Sequence, residues 1–353
     1  MSDAFASLFP ALCVRPVPTD LDAALRTAID QKTKPLGALG RLEAVAFQVG
    51  RIRQSLRPDL TTAAHLVFAA DHGVCDEGVS PYPQAVTTQM VLNFLGGGAA
   101  INVFCRQVQV ALTVVDAGVA GALPAHPDLL PWAVCRGSRN MVVAPALSAT
   151  QVEQCLQAGA RAIDERAGQA ALVSLGEMGI GNTTVAAALF SAWLDWPPEI
   201  CVGAGTGASE TLQAHKAAVI RRALQRAQVD REAPLQILAE VGGAEVAMMV
   251  GAYLRAAALS KVILVDGFIA TAAWCIAQAL QPALREYSLF AHQSDEQGHA
   301  RVLAHLGLTP LLQLGMRLGE GTGAMAALPL VRMAAAFLGE MASFAEAGVS
   351  ASA

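Results

Sequence analysis

Ala171-Leu172-Val173-Ser174-Leu175-Gly176-Glu177-Met178-Gly179-Ile180-Gly181-Asn182-Thr183-Thr184 is the stretch that decides the fold class. Its first five residues form an apolar run of strand length. A glycine-rich turn follows, and Val185–Leu194 behind it is apolar and helix-like. Strand, tight turn and helix in that order are the repeating unit of a parallel α/β sheet. Two other stretches share the pattern. Leu311–Leu314 runs into Met316-Arg317-Leu318-Gly319-Glu320-Gly321-Thr322-Gly323-Ala324, with the apolar run Ala324–Val331 behind it as the start of a buried helix. Ile200-Cys201-Val202 runs into Gly203-Ala204-Gly205-Thr206-Gly207. Such turns lie at the carboxyl ends of strands, where open α/β sheets hold their ligands. Three of them point to one shared cleft.

Working outward, apolar runs recur at His65–Ala70, Val110–Val115 and Val262–Val265. They end in Asp71-His72-Gly73, Asp116-Ala117-Gly118 and Asp266-Gly267. The alternation predicts an α/β protein with a mainly parallel sheet flanked by helices, occupying about residues 60–330. The chain ends lack strand-like runs. Asp20–Ile52 reads as helical segments separated by Lys34-Pro35-Leu36-Gly37, and Met333–Ala347 reads as a C-terminal helix. Residues 1–55 and 333–353 are therefore expected to form a small helical domain together.

Composition narrows the partners. Of 353 residues, 54% are apolar and only 15% charged, which suits a buried parallel sheet under Ala-rich helices. A net charge of −5 and the lack of any basic run argue against nucleic acid or an anionic membrane as partner. Met1–Arg15 lacks the pattern of a signal peptide. The most apolar stretch, Val246–Leu280, is broken by Arg255, Lys261 and Asp266, so no membrane span is expected. The seven cysteines are scattered, and none is in a Cys-x-x-Cys pair, which fits reduced thiols in a cytoplasmic protein. The histidines form no ligand cluster; His292 and His299 are spaced to share a helix face as packing or hydrogen-bonding groups. Neither a metal nor a cofactor is expected.

The candidate chemistry sits in the glycine turns. Gly319, Gly321 and Gly323 let the backbone fold tightly around one carboxylate, Glu320. Glu177 is a second acid on a turn of the same kind. A solvated surface Glu320, and a Glu177 that merely caps the helix near Asn182, are the structural alternatives. Glycine turns also admit a phosphate to backbone N–H groups at a helix N-terminus. Gly179, Asn182, Thr183, Gly205 and Gly207 are placed for this. Asp266 ends a strand, suited either to a ligand or to a structural turn.

Several strings, in order along nearly the whole chain, carry a resemblance. They include Lys34-Pro35-Leu36-Gly37-Ala38-Leu39-Gly40-Arg41-Leu42-Glu43, Ala69-Ala70-Asp71-His72-Gly73-Val74, Glu77-Gly78-Val79-Ser80 and Gly97-Gly98-Ala99-Ala100-Ile101-Asn102-Val103. The most specific are Gly176–Thr184 and Arg317–Ala324. With these the chain resembles the nicotinate-nucleotide–dimethylbenzimidazole phosphoribosyltransferase family of cobalamin nucleotide-loop assembly. Ser138 departs from the Thr expected there.

The resemblance implies a Rossmann-like large domain, a small helical domain and a homodimer. It implies transfer of phosphoribose from nicotinate mononucleotide to a benzimidazole, giving α-ribazole 5′-phosphate and nicotinate. It assigns Glu320 as general base, and leaves Glu177 to orient substrate or serve as an alternative base. Ser80, Gln89, Met178 and Leu318 would line the acceptor slot, with Tyr82 beside them. Lys216 would meet the 5′-phosphate, with Ser294 as a further candidate. A transferase using phosphoribosyl pyrophosphate is the nearest rival, but Val114-Val115-Asp116-Ala117-Gly118 has one acid and lacks the Thr-Gly-x-Thr turn of that class. A nucleotide-binding regulatory protein on the same fold is the rival from another class. The three turns lack Gly-x-Gly-x-x-Gly, which disfavours a dinucleotide dehydrogenase.

Overall fold

The computed structural model describes residues 2–203 and 209–350. Its centre is one six-stranded sheet of β1 (Ala63–Ala70), β2 (Ala111–Gly118), β3 (Leu129–Pro131), β4 (Leu172–Met178), β5 (Val262–Val265) and β6 (Ser288–Phe290). The spatial order is β3-β2-β1-β4-β5-β6, and every pairing is parallel. This is the doubly wound order, in which the chain reverses direction across the sheet between β1 and β4 and opens a crevice at their carboxyl ends. The expected mainly parallel α/β architecture is therefore the observed one. All of β5, and all but one end residue of β1 and of β4, are buried, which is why these strands read as nearly continuous apolar runs.

Helices cover both faces. The helix Ala149–Ala167 begins with a reciprocal cap in which Ser148 Oγ accepts from Gln151 N (3.1 Å) and Gln151 Oε1 accepts from Ser148 N (2.8 Å). It packs closely on Ala244–Ala258, with Gly159 facing the Met248 carbonyl and Gly251 facing the Leu156 backbone. Phe268–Leu280 packs on Asn182–Leu194, and Thr322–Glu340 packs on Arg41–Arg53 and Ala100–Gln107.

Several segments differ from the sequence reading. Leu311–Leu314 is not a strand; only Leu312 makes a parallel bridge, to His292. Ile200–Val202 is not a strand either. Ile200 and Cys201 end the short helix Pro198–Cys201, because Pro198 presets a helical φ at its first position. β4 extends beyond Leu175 through Met178, so Glu177 belongs to the strand and not to the turn. The expected C-terminal helix is the tail of the longer Thr322–Glu340 helix, followed by a separate turn of helix at Phe344–Ala347. His292 precedes the helix Gln297–His305, so it cannot share a helix face with His299.

The two chain ends meet. Lys32 and Ser343 form an antiparallel bridge, Thr33 N donates to Ala342 O (3.1 Å), and Lys32 Nζ donates to Met341 O (2.5 Å). Two stretches, Ala85–Gln107 and Thr322–Glu340, are apolar and long enough by composition to cross a membrane. The first is interrupted between Leu95 and Ala100, and the second is a core helix with over half its residues buried.

The contact at Gly251 yields a sign test. Alanine favours a helix interior over glycine by about 1 kcal/mol. A Cβ at Gly251 would lie 2.7 Å from the Leu156 Cα and closer still to its carbonyl oxygen. Overpacking of this kind costs about 1–3 kcal/mol. Gly251→Ala should therefore lower the urea midpoint with an unchanged m-value, and a raised midpoint would show that the helices separate freely.

Candidate functional site

The carboxyl ends of β4 and β5 and the turn 317–319 enclose a cleft. Glu177, Met178, Gly179, Asn182, Thr183, Asp266, Phe268, His292, Ser294, Glu296, Arg317 and Leu318 are among the residues lining it. Two of the glycine turns thus converge, as one shared cleft requires. Gly205 and Gly207, expected at the phosphate, lie outside the described residues.

The turn carrying Glu320 rests directly on β4. A Cβ at Gly176 would fall on the Glu320 carbonyl oxygen, and one at Gly319 would fall on Glu177 Oε1. Gly319, Glu320 and Gly321 all have left-handed φ, at 85°, 64° and 84°. Such a conformation comes easily to glycine but strains a glutamate. Thr322 Oγ1 donates to Gly319 O (2.8 Å) as the next helix starts.

Glu320 is 4% exposed. Its Oε2 accepts from Ile101 N (3.3 Å), so the carboxylate meets the first turn of the helix Ala100–Gln107. A helix N-terminus favours such a charge. Burial nevertheless pushes the carboxyl above its ordinary pKa, and Asp266 adds to the rise while the Ile101 amide opposes it. Glu177 is buried on β4 and accepts a short hydrogen bond from Asn182 Nδ2. Burial first, and then the nearby Asp266, Glu245 and Glu320, push its pKa up to about 8 against the pull of Asn182. Asp266 is buried too, and its raised pKa is due first to burial. Its Oδ1 accepts from Ala324 N (2.7 Å), which gives it a place in the turn as well as in the cleft wall. These buried acids repel one another and favour a positive charge placed among them.

At the other side, Lys216 lies on the helix Glu210–Ala227 and is 5% exposed. Its Nζ is 3.5 Å from Thr183 Oγ1, so the expected lysine and the expected threonine do come together. Burial lowers its pKa, with Glu296 pulling the other way. Ser294 is buried in the cleft wall, where its N–H donates to His299 Nδ1 (2.9 Å). Asn182 and Thr183 stand at the start of the helix Asn182–Leu194.

The acceptor-side residues divide. Met178 and Leu318 line the cleft, but Ser80, Tyr82 and Gln89 do not. Ser80 Oγ accepts from Tyr82 N (3.1 Å), Tyr82 is 48% exposed, and Gln89 is exposed on the helix Ala85–Leu95. That helix still reaches the β4 end, because Thr87 Oγ1 accepts from Ile180 N (3.1 Å). Glu296 and Phe268 are cleft residues that the sequence reading did not single out. Phe268 follows the Asp266-Gly267 turn and was open to inference from it; Glu296 carries no local pattern. Among the described residues no group of three or more His, Cys, Asp or Glu is placed to hold a metal ion.

Known proteins of this shape and sequence agree with one another. A family described as phosphoribosyltransferase matches residues 14–349. The nicotinate-nucleotide–dimethylbenzimidazole phosphoribosyltransferase of Cupriavidus necator is 52% identical over 337 residues, 94% of this chain and 97% of that protein. The protein of the same name from Photobacterium profundum is 48% identical over 91% of this chain and 94% of its own. The crystal structure of CobT from Thermus thermophilus superposes with a TM-score of 0.90 at 46% identity, covering 94% of this chain and all of that one. With the sheet order, the two glycine turns and these relatives in agreement, the chain belongs to the nicotinate-nucleotide–dimethylbenzimidazole phosphoribosyltransferase family.

Proposed function

We propose that this chain transfers phosphoribose from nicotinate mononucleotide to 5,6-dimethylbenzimidazole, releasing nicotinate and forming α-ribazole 5′-phosphate for the lower-ligand nucleotide of cobalamin. The observation that carries the reading is the junction of two buried carboxyls, Glu177 and Glu320, through the Gly319–Gly321 turn. One nitrogen of the benzimidazole attacks C1′ with its lone pair. Nicotinate leaves with the electrons of the broken C1′–N bond, which neutralises its cationic ring. The proton on the second benzimidazole nitrogen passes to Glu320, so the new nucleotide leaves without a stranded charge. A carboxyl raised toward neutrality suits that task, since a base works best with a pKa near the operating pH. Buried acids around the cleft stabilise positive charge developing at C1′.

Met178 and Leu318 form the apolar part of the acceptor slot, and Ser80, Gln89 and Tyr82, which stand outside the cleft lining, are the further acceptor-side residues. The turn at Gly179 and the helix start at Asn182 and Thr183, together with Lys216, receive the 5′-phosphate. Asp266 and Ser294 serve the ribose side. In-line displacement inverts C1′, which gives an α-product from a β-donor. The enzyme works as a cytoplasmic homodimer, with its chain ends forming a small helical domain and without a metal or cofactor. A second reading exchanges the acids: Glu177 lines the cleft directly, while Glu320 faces Ile101.

Substitution separates the readings. Glu320→Gln should reduce turnover by about 10²–10⁴-fold, the usual worth of a general base, in an assay of nicotinate release. Glu177→Gln should do less. The opposite ranking would transfer the role of base to Glu177.

Lys216→Ala should raise KM for nicotinate mononucleotide more than KM for dimethylbenzimidazole. The loss should shrink with a donor lacking the 5′-phosphate. Equal losses with both donors would remove Lys216 from the phosphate site.

Glu177 also gives a stability test. Its folded pKa of about 8 lies above the ordinary value of 4.5. The folded state therefore holds a proton that the unfolded chain releases, and this contribution to stability is lost as pH rises from about 4.5 through 8. Glu177→Gln should raise Tm more at pH 8 than at pH 5 relative to the unsubstituted protein. An equal change at both pH values would show that Glu177 titrates normally.

A further inference from the structure

His65 stands in the middle of β1, in the otherwise apolar run Ala63-Ala64-His65-Leu66-Val67-Phe68-Ala69-Ala70. It is fully buried, in a strand whose other side chains only pack. Its ring joins two segments. Nδ1 is 2.6 Å from Ser174 Oγ on the neighbouring β4, and Nε2 is 2.9 Å from the backbone carbonyl oxygen of Glu320. A carbonyl oxygen only accepts, so Nε2 carries the proton. If the ring is neutral, Nδ1 is a bare acceptor, and the Ser174 hydroxyl supplies its hydrogen. Burial keeps the ring neutral by pushing its pKa down to about 4. Ser174 O–H therefore donates to His65 Nδ1, and His65 Nε2–H donates to the Glu320 carbonyl.

The ring also lies directly beneath the turn, because a Cβ at Gly321 would land on His65 Cε1. Glu320 needs such support. It is held at φ 64° between two left-handed glycines, in a conformation that crowds the Cβ of any residue other than glycine. Five other non-glycine residues share positive φ among the described residues, but three of them cap helix C-termini, where that conformation is ordinary. Asp266 grips the same turn from the end of β5 through Ala324 N.

We infer that His65 is a positioning residue for Glu320, holding the turn from the sheet below by its backbone carbonyl, with Ser174 selecting the tautomer that can do so. The inference rests on Glu320 being the base. His65 touches no substrate; it acts by fixing where the Glu320 carboxylate stands.

The test compares His65→Leu, His65→Gln and Ser174→Ala, each alone and with Glu320→Gln, reading kcat and both KM values in the nicotinate-release assay. A displacement of about 1 Å in a catalytic group costs on the order of 10²-fold. His65→Leu should lower kcat by about that factor with little change in KM for nicotinate mononucleotide. His65→Gln keeps an amide donor for the carbonyl and should recover most of the rate. Ser174→Ala should lower kcat about fivefold, the rate equivalent of one net hydrogen bond. In the Glu320→Gln background, His65→Leu should cost nothing further, because the group it positions is gone. Equal losses with and without Glu320→Gln would overturn the proposal, as would a raised KM at unchanged kcat. If His65→Leu does not fold, Ser174→Ala decides alone, and a wild-type kcat there refutes the relay. A normal rate for Glu320→Gln on its own would instead refute the base assignment, and the positioning role with it.

Discussion

Between Gly176 and the Glu320 carbonyl there is no room for a side-chain atom. Two backbones meet there, one in a central strand and the other in a turn that is nearly 150 residues further along the chain. The rest of the site depends on that approach. It sets the height of the turn above the sheet and brings Gly319 against the Glu177 carboxylate. It lets the Asp266 carboxylate reach the amide of Ala324. Close-packed backbones deform little, so the two acids keep a fixed separation without a bond between them.

That rigidity has an electrostatic cost. Glu177, Asp266 and Glu320 are all buried. Asp266 raises the pKa of both glutamates, and Glu320 raises that of Glu177. Such a cleft holds protons that its acids would give up in water. Binding a donor with a cationic ring relieves the repulsion, and the ring's departure restores it. The cluster therefore favours a cation bound beside it over a neutral or anionic group.

Much of this was open to reading from the sequence, for a definite physical reason. Glycine spacing states a conformational demand, and Gly319, Gly321 and Gly181 all have the positive φ that such turns require. The long central strands are legible because they are buried on both faces and so nearly continuous apolar runs. β3 and β6 are three residues each, too short for any periodicity to show. Ile200–Val202 misleads because β-branched content is a weaker signal than the proline ahead of it. His65 and Glu296 escape more deeply, since the groups they meet are remote in sequence. His65 bonds a carbonyl 255 residues away, and Glu296 acts on Lys216 from the N-cap of the helix Gln297–His305. A residue that supports the site from below carries no local motif at all.

The bridge between Lys32 and Ser343 reaches beyond the site. Its lysine head group bonds a carbonyl 309 residues along the chain. Contacts of that span form late, because the entropy of closing the loop must be overcome before they contribute. Thr33 and Ala342 are joined beside it, so the segment after the helix Asp22–Asp30 is tied down by residues more than 300 positions away. A proteolytic cut just after Glu340 would therefore loosen the Lys32 head group and the Thr33 amide together, since both bond to the segment behind it.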